Sequence, residues 1–157
     1  MSTTYLGHEM FSIGSNGALA SVPGSPFPQG GSGGANYVDM SCNSKLLFAA
    51  LGGVPTPVSC CGTDTQVGVS TIASSGALSP IAGSPFTFVP GANSSVGILS
   101  PNNQWLFVSN QVSNTITSLD VKSNGSLAQV SGSPFPDSVA ADPNGMATNG
   151  TYFALRS

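Results

Sequence analysis

Gly24-Ser25-Pro26-Phe27 returns as Gly83-Ser84-Pro85-Phe86 and again as Gly132-Ser133-Pro134-Phe135. The second copy begins 59 residues after the first, and the third begins 49 residues after the second. A similar dipeptide precedes each copy, at Asn16-Gly17, Ser75-Gly76 and Asn124-Gly125. Asn-Gly between apolar segments is a strong hairpin signal, because such turns need positive φ angles. The pattern therefore predicts a repeat protein built from short strands.

A second hairpin lies between the copies of this motif. Residues 95–100 lead into the turn Pro101-Asn102-Asn103, and residues 104–110 follow; residues 36–41, 42–44 and 45–50 repeat the arrangement. An alternating stretch such as 115–121 and a short strand ending at Gly-Ser-Pro-Phe complete a four-strand unit. Four short strands in roughly 40 to 50 residues have the size of a propeller blade. We therefore expect an all-β propeller of four-stranded antiparallel blades.

One run of the sequence resembles a known repeat family. Leu99-Ser100-Pro101-Asn102-Asn103-Gln104-Trp105-Leu106-Phe107-Val108-Ser109-Asn110, with Ile116-Thr117-Ser118-Leu119-Asp120-Val121 and Asn124-Gly125-Ser126-Leu127 after it, is similar to the YVTN family of β-propeller repeats. That family is related to the seven-bladed, 6-phosphogluconolactonase-like lactonase propellers. The resemblance covers nearly the whole chain and implies the fold. The lactonases use charged and histidine residues at the channel mouth, and none matches residue by residue here, so the resemblance does not imply the activity.

The repeat divides the 157 residues into one partial propeller of about three blades. Residues 1–27 supply the outer two strands of a shared blade, and residues 138–157 supply its inner two strands. Residues 28–86 form a blade with a long inserted loop at 52–64, and residues 87–135 form the next blade. Propellers usually have four to eight blades. We therefore expect a homodimer that closes a six-bladed ring; another oligomer, or a fragment of a longer gene, is the alternative.

Charge is sparse in this chain. Charged residues make up 6% and the formal net charge is −3, with three basic residues, Lys45, Lys122 and Arg156. Three scattered cations cannot neutralise a phosphate backbone, which argues against nucleic acid as a partner. No apolar run reaches the roughly 18 residues that cross a membrane, and no signal peptide is visible. These features predict a soluble protein, while a surface rich in Ser, Thr and Asn is typical of exported proteins, so localisation stays open.

The inserted loop carries the strongest candidates for catalysis, Cys60, Cys61 and Asp64. Loops on a rigid scaffold are where function concentrates. A thiol becomes nucleophilic when a nearby base lowers its pKa, so one hypothesis is a Cys60 or Cys61 nucleophile with His8 as base and Asp64 orienting it. The other interpretation is that the two thiols have a structural role in a loop that an insertion has lengthened.

His8 is the single histidine, and it replaces the apolar residues Val67 and Ile116 of the other repeats. A histidine can act as a general base near neutral pH. It can equally be a structural histidine whose ring nitrogens are hydrogen-bonded within a sheet or at a chain junction.

Three aspartates are candidate ligand-binding residues. Asp39 and Asp142 belong to first strands or their turns, which line a propeller channel, and Asp137 follows Gly-Ser-Pro-Phe on the same face as the inserted loop. Paired carboxylates suit Ca²⁺ or Mg²⁺, so an ion at the channel is possible, and no other cofactor is evident. The alternative is that each is an exposed turn aspartate.

Two functions remain in view from the sequence. The first is an oligomeric propeller that presents a small-molecule or protein binding site at the channel mouth, without catalysis. The second is a hydrolase of lactones, esters or phosphoesters with a Cys/His/Asp site near the inserted loop or a subunit interface.

Overall fold

A computed structural model describes residues 7–29, 34–52, 65–88, 93–137 and 145–156, and all regular secondary structure in these ranges is β-strand. No helix in the described ranges is long and apolar enough to pass through a membrane. The strands are β1 Gly7–His8, β2 Phe11–Ile13, β3 Leu19–Ser21, β4 Phe27–Pro28, β5 Ala35–Met40, β6 Leu46–Leu51, β7 Thr65–Ile72, β8 Leu78–Pro80, β9 Phe86–Phe88, β10 Ser94–Leu99, β11 Trp105–Asn110, β12 Thr115–Val121, β13 Leu127–Gln129, β14 Phe135–Pro136, β15 Gly145–Thr148 and β16 Phe153–Arg156.

Two five-stranded antiparallel sheets form the middle of the molecule. The first has the order β5-β6-β7-β8, and β9 also pairs with β7; the second has the order β10-β11-β12-β13, and β14 also pairs with β12. Three two-stranded pairs flank them, β1 with β4, β2 with β3, and β15 with β16. The second sheet thus repeats the topology of the first, as expected for an all-β repeat protein.

The register places equivalent residues of three repeats at one position. His8 pairs with Phe27, Val67 with Phe86, and Ile116 with Phe135. Strands β1 and β2 therefore correspond to the two halves of β7 and of β12. By the same comparison, β15 and β16 correspond to β10 and β11, since each pair is joined by a short turn.

The fourth strand of each sheet is broken, which differs from the expected four-stranded unit. Residues 81–84 form a turn in which Ser84 N–H donates to the Ile81 carbonyl at 3.1 Å, and Gly83 has φ 84°. The turn separates β8 from β9, and both segments pair with β7. Positive φ favours glycine, so the motif glycine is required by this turn. The motif marks an interruption within the outer strand, and each sheet therefore has five segments.

The main apolar core lies between the two five-stranded sheets. Because side chains alternate along a strand, one face of each sheet contributes, with Phe48, Val67 and Val69 from the first and Val108 and Leu119 from the second. Full burial of each such aliphatic side chain contributes about 1.5–3 kcal/mol. A second, smaller cluster joins the first sheet to the β1–β4 region.

Two polar side chains also form hydrogen bonds between the inner strands of the two sheets. Asn36 Nδ2 donates to the Ser94 carbonyl oxygen at 2.8 Å, and Asp39 Oδ2 accepts from the Leu99 N–H at 2.8 Å. Both contacts connect β5 to β10, so the sheets are fixed relative to each other at their inner edge.

Candidate functional site

The register brings the long connections to one end of the sheets, which we call the loop end. In the first sheet Ala35 pairs with Leu51, Leu51 with Gln66, and Thr65 with Phe88. The connection from β6 to β7 and the connection from β9 to β10 therefore leave from the same end. The turns that join β5 to β6 and β10 to β11 lie at the opposite end, which we call the turn end.

A buried polar cluster lies at the loop end of the second sheet. Asn110 and Thr117 are fully buried. Asn110 Nδ2 donates to Thr115 Oγ1 at 3.1 Å and to Thr117 Oγ1 at 2.9 Å. Asn110 is paired across the strands with Thr115, so these three side chains point to one face of the sheet, toward the first sheet.

Apolar or glycine residues hold the matching positions of the first sheet. The pairs, first sheet before second, are Leu51 and Asn110, Gly68 and Thr117, Ala50 and Ser109, and Ala35 and Ser94. Ser94 and Ser109 are also fully buried, and Ser109 Oγ accepts from the Val96 N–H at 3.1 Å. Sequence reasoning missed this cluster, although comparing the repeats position by position shows an apolar residue or glycine replaced by a polar one at these four positions; Thr115 instead matches the polar Gln66.

The turn at residues 111–114 contacts this cluster through Ser113, whose Oγ lies 2.8 Å from Thr115 Oγ1, within hydrogen-bond distance. Two hydrogen bonds join Asn93 and Gln111. The Gln111 N–H donates to the Asn93 carbonyl, and Asn93 Nδ2 donates to Gln111 Oε1, both at 3.1 Å. Asn114 adopts φ 50° and its carbonyl accepts from the Asp137 N–H at 2.9 Å. Within the turn, Val112 and Ser113 are exposed. The result is an exposed turn whose two ends are fixed by hydrogen bonds.

The structure places the predicted ligand-binding aspartates apart. Asp137 lies at the loop end of the second sheet, half-buried next to Asn114, and its role as a ligand-binding residue stays a prediction. Asp39 pairs with Phe48 nearer the turn end of the first sheet, and its two oxygens accept from the Met40 and Leu99 N–H groups at 2.8 Å each. Asp39 thus connects the two sheets, and its ligand-binding role stays a prediction; Asp142 lies outside the described residues.

His8 lies in β1, buried at the loop end of the β1–β4 pair. Burial lowers the pKa of its imidazole, because the charged form loses its hydration, so His8 is neutral at pH 7. Its proposed companions Cys60, Cys61 and Asp64 lie outside the described residues. The structure therefore does not bring this catalytic set together, and the set stays a prediction.

Metal binding has no support in the described part of the chain. No group of three or more His, Cys, Asp or Glu side chains there is close enough to hold an ion. The possibility of Ca²⁺ or Mg²⁺ at the channel stays a prediction. A shallow depression of about 330 Å³ lies on β15 and β16, lined by Thr148, Tyr152 and Phe153 among others, away from the loop end.

Solved structures share this fold. A periplasmic gluconolactonase from Pseudomonas aeruginosa aligns with a TM-score of 0.66 and 16% identity over 94% of this chain and 42% of its own. A candidate 6-phosphogluconolactonase from Bacteroides fragilis aligns with 0.61 and 16% over 83% and 34%. Hydrazine synthase from Kuenenia stuttgartiensis aligns with 0.59 and 19% over 96% and 43%. No protein-family model and no curated protein matches the sequence.

These similarities show a propeller-like all-β fold. The chain spans between about a third and two fifths of the length of these structures. At such identities the likeness concerns the fold alone, and the names of these proteins describe two different chemistries, lactone hydrolysis and hydrazine synthesis. The YVTN relationship suggested by the sequence stays a prediction.

Proposed function

We propose that this chain is part of an oligomeric β-propeller that binds a small polar molecule at the loop end, where the central channel opens. In this proposal the blades follow the sequence boundaries. Residues 28–86 and 87–135 are complete blades, and residues 1–27 and 138–157 are the outer and inner halves of shared ones. The function is binding, and catalysis is not required for it.

The observation that carries this proposal is the polar cluster under the turn at residues 111–114. Burying an amide or hydroxyl is unfavourable unless it is hydrogen-bonded, and Leu51 and Gly68 fill the same positions in the first sheet without that cost. Asn110 and Thr117 are therefore not needed to build the repeat. They support an exposed turn, and binding sites gain precision when a hydrogen-bonded layer holds the contacting residues in place.

The chemistry of this turn favours an uncharged ligand with several hydroxyl groups. The turn and its anchors present amide, hydroxyl and backbone groups from Asn93, Gln111, Ser113 and Asn114. Amides and hydroxyls both donate and accept hydrogen bonds, which matches a hydroxyl-rich molecule better than an ion. Asp137, next to Asn114, adds one acceptor for a ligand hydroxyl.

Calorimetry with a panel of neutral sugars, sugar lactones and sugar acids tests the proposal. Asn110→Leu combined with Thr117→Val copies the apolar character of the first sheet. Because both partners are replaced, the Thr117 hydroxyl is not left buried without its hydrogen bond to Asn110. We expect this variant to fold and to bind at least tenfold more weakly than the wild type. Asn102→Ala, at the turn end, is the matched control and should bind normally. A wild type that binds no member of the panel, or a double variant that binds as well as the wild type, would contradict the proposal.

A hydrolase of lactones, esters or phosphoesters is the second candidate. Two observations favour it: His8 is neutral at pH 7 and can accept a proton, and the fold is shared with a gluconolactonase. Turnover of lactone and chromogenic ester substrates, lost in both His8→Val and Cys60→Ala/Cys61→Ala, would support it. Absence of turnover in the wild type would leave the binding function alone.

A further inference from the structure

The β2–β3 hairpin exposes an apolar surface that its equivalents bury. Leu19 is 65% exposed, whereas Leu78 and Leu127, at the same position of the next repeats, are 5% and 8% exposed. Phe11 is 46% exposed, whereas its equivalents Ser70 and Leu119 are 2% and 0% exposed. Ile13 is exposed beside them. We call Phe11, Ile13 and Leu19 the open patch.

In the described repeats, the face that corresponds to the open patch is covered by the preceding unit. Leu78 packs in one cluster with Val22 of the β3–β4 connection. Leu127 packs in the main cluster, against which Ile81 of the β8–β9 connection also packs. The approach is close, since a Cβ at Gly76 would lie 2.9 Å from Val22, and one at Gly125 would lie 3.2 Å from Ile81. In each unit, the turn that interrupts the outer strand thus covers the hairpin of the next unit.

The covering surface also occurs uncovered on the same chain. Phe135 follows the turn at residues 130–133, which interrupts the outer strand of the second sheet. It is exposed, whereas its equivalent Phe27 is buried. In addition, β16 pairs only with β15 among the described strands, although its equivalent β11 pairs on both sides. Two complete sheets separate these surfaces from the open patch along the chain. One chain therefore presents both halves of a contact that it makes twice internally.

We propose that a second copy of this chain covers the open patch, with β16 of one copy pairing antiparallel with β1 and β2 of the other. This inference rests on the oligomeric propeller proposed above and specifies its junction. The contact is head-to-tail, and such contacts form a ring when the rotation between copies closes. Two identical junctions would then remove both open strand edges, which otherwise invite aggregation.

The register of this junction follows from β11 and β12. Trp105 pairs with Asp120 and Leu106 with Leu119. The equivalent pairs across the junction are Tyr152 with the partner's Ser12 and Phe153 with the partner's Phe11. An aromatic pair directly opposite across two strands stabilises a sheet, and the open patch gains burial in addition.

Cysteine pairing tests the register in a background where Cys42, Cys60 and Cys61 are serine. Ser12→Cys with Tyr152→Cys places two thiols on one face of the junction, directly opposite. The matched control, Ser12→Cys with Phe153→Cys, places them on opposite faces, because side chains alternate along a strand. After mild oxidation, we expect the first pair to give a covalent dimer on a non-reducing gel and the control to give at least tenfold less.

The outcomes separate the junction from the proposed function. A two-chain particle by light scattering, without the disulfide or with equal crosslinking of both pairs, would refute this register and leave an oligomeric propeller. A folded monomer would refute both. A ladder of covalent species larger than a dimer would refute ring closure by two copies, since a closed pair has no free edge.

A charge placed on the open patch gives a second test that does not depend on disulfide geometry. Leu19 is exposed in the single chain, so Leu19→Asp should fold normally and weaken association at least tenfold. Val112→Asp, at an equally exposed loop-end position, is the matched control and should leave association unchanged. A Leu19→Asp variant that associates like the wild type would overturn the inference.

Discussion

Ser84 Oγ accepts a hydrogen bond from the Val69 N–H at 2.9 Å, at the point where β7 passes from β8 to β9. The same bond joins Ser25 to Met10 at 3.0 Å and Ser133 to Ser118 at 2.9 Å. The motif serine therefore replaces the carbonyl that an unbroken outer strand would offer. Gly-Ser-Pro-Phe recurs because the interruption leaves one strand N–H without a backbone partner.

Replacing this serine should destabilise the fold. Ser84→Ala removes the acceptor and leaves the Val69 N–H without a partner, which costs about 1–2 kcal/mol for a partly buried group. Urea denaturation followed by tryptophan fluorescence measures the loss. Ser131→Ala, an exposed residue of the equivalent turn in the second sheet, should change the free energy of unfolding by less than about 0.5 kcal/mol. Equal effects of the two substitutions would contradict the assigned role.

Asp39 should matter for stability through its contact with Leu99. Asp39→Ala removes the acceptor of the Met40 and Leu99 N–H groups, with an expected loss of about 1–3 kcal/mol, while Asp39→Asn keeps one acceptor oxygen and loses less. Asp120→Ala removes only an exposed pair with Lys122 and should cost less than about 1 kcal/mol. A stable Asp39→Ala variant that loses ligand would contradict this stabilising role and support the ligand-binding role predicted from sequence.

His8 should make the protein less stable in mild acid. Its pKa in the folded state is lowered from 6.5 by burial, so the unfolded chain takes up the proton first as the pH falls. The free energy of unfolding therefore keeps its full value above pH 6.5 and decreases below it, by at most about 1.4 kcal/mol per pH unit for one proton. Denaturation at about pH 7.5 and about pH 5.5, at fixed protein concentration, measures this dependence. His8→Val, which copies Val67, should remove it; a variant with the wild-type dependence would show that other groups cause it.

The sequence was informative where a residue type is required by local geometry. The hairpin turns at Gly17, Gly76 and Gly125 need positive φ, and the structure has φ between 80° and 84° there. Alternation of apolar residues likewise predicted the paired strands. The split of the outer strand was not predicted, because nothing in Gly-Ser-Pro-Phe alone shows that the strand resumes at Phe86 and pairs again with Val67.

The candidate site was less predictable, for two physical reasons. A carboxylate in an inner strand is compatible both with ligand binding at the channel and with a hydrogen bond to the next sheet, and the sequence does not show the position of the Leu99 N–H that Asp39 accepts from. The cluster around Asn110 consists of common polar residues without a motif spacing. Its significance comes from burial and from the apolar residues at the matching positions, such as Leu51, and burial is a property of the folded chain.

Light scattering of the purified protein measures whether the ring closes, because the channel and its loop end require a closed ring. We expect a particle with twice the 15.6 kDa mass of one chain, stable on dilution to low micromolar concentration. A folded particle with the mass of a single chain would refute ring closure.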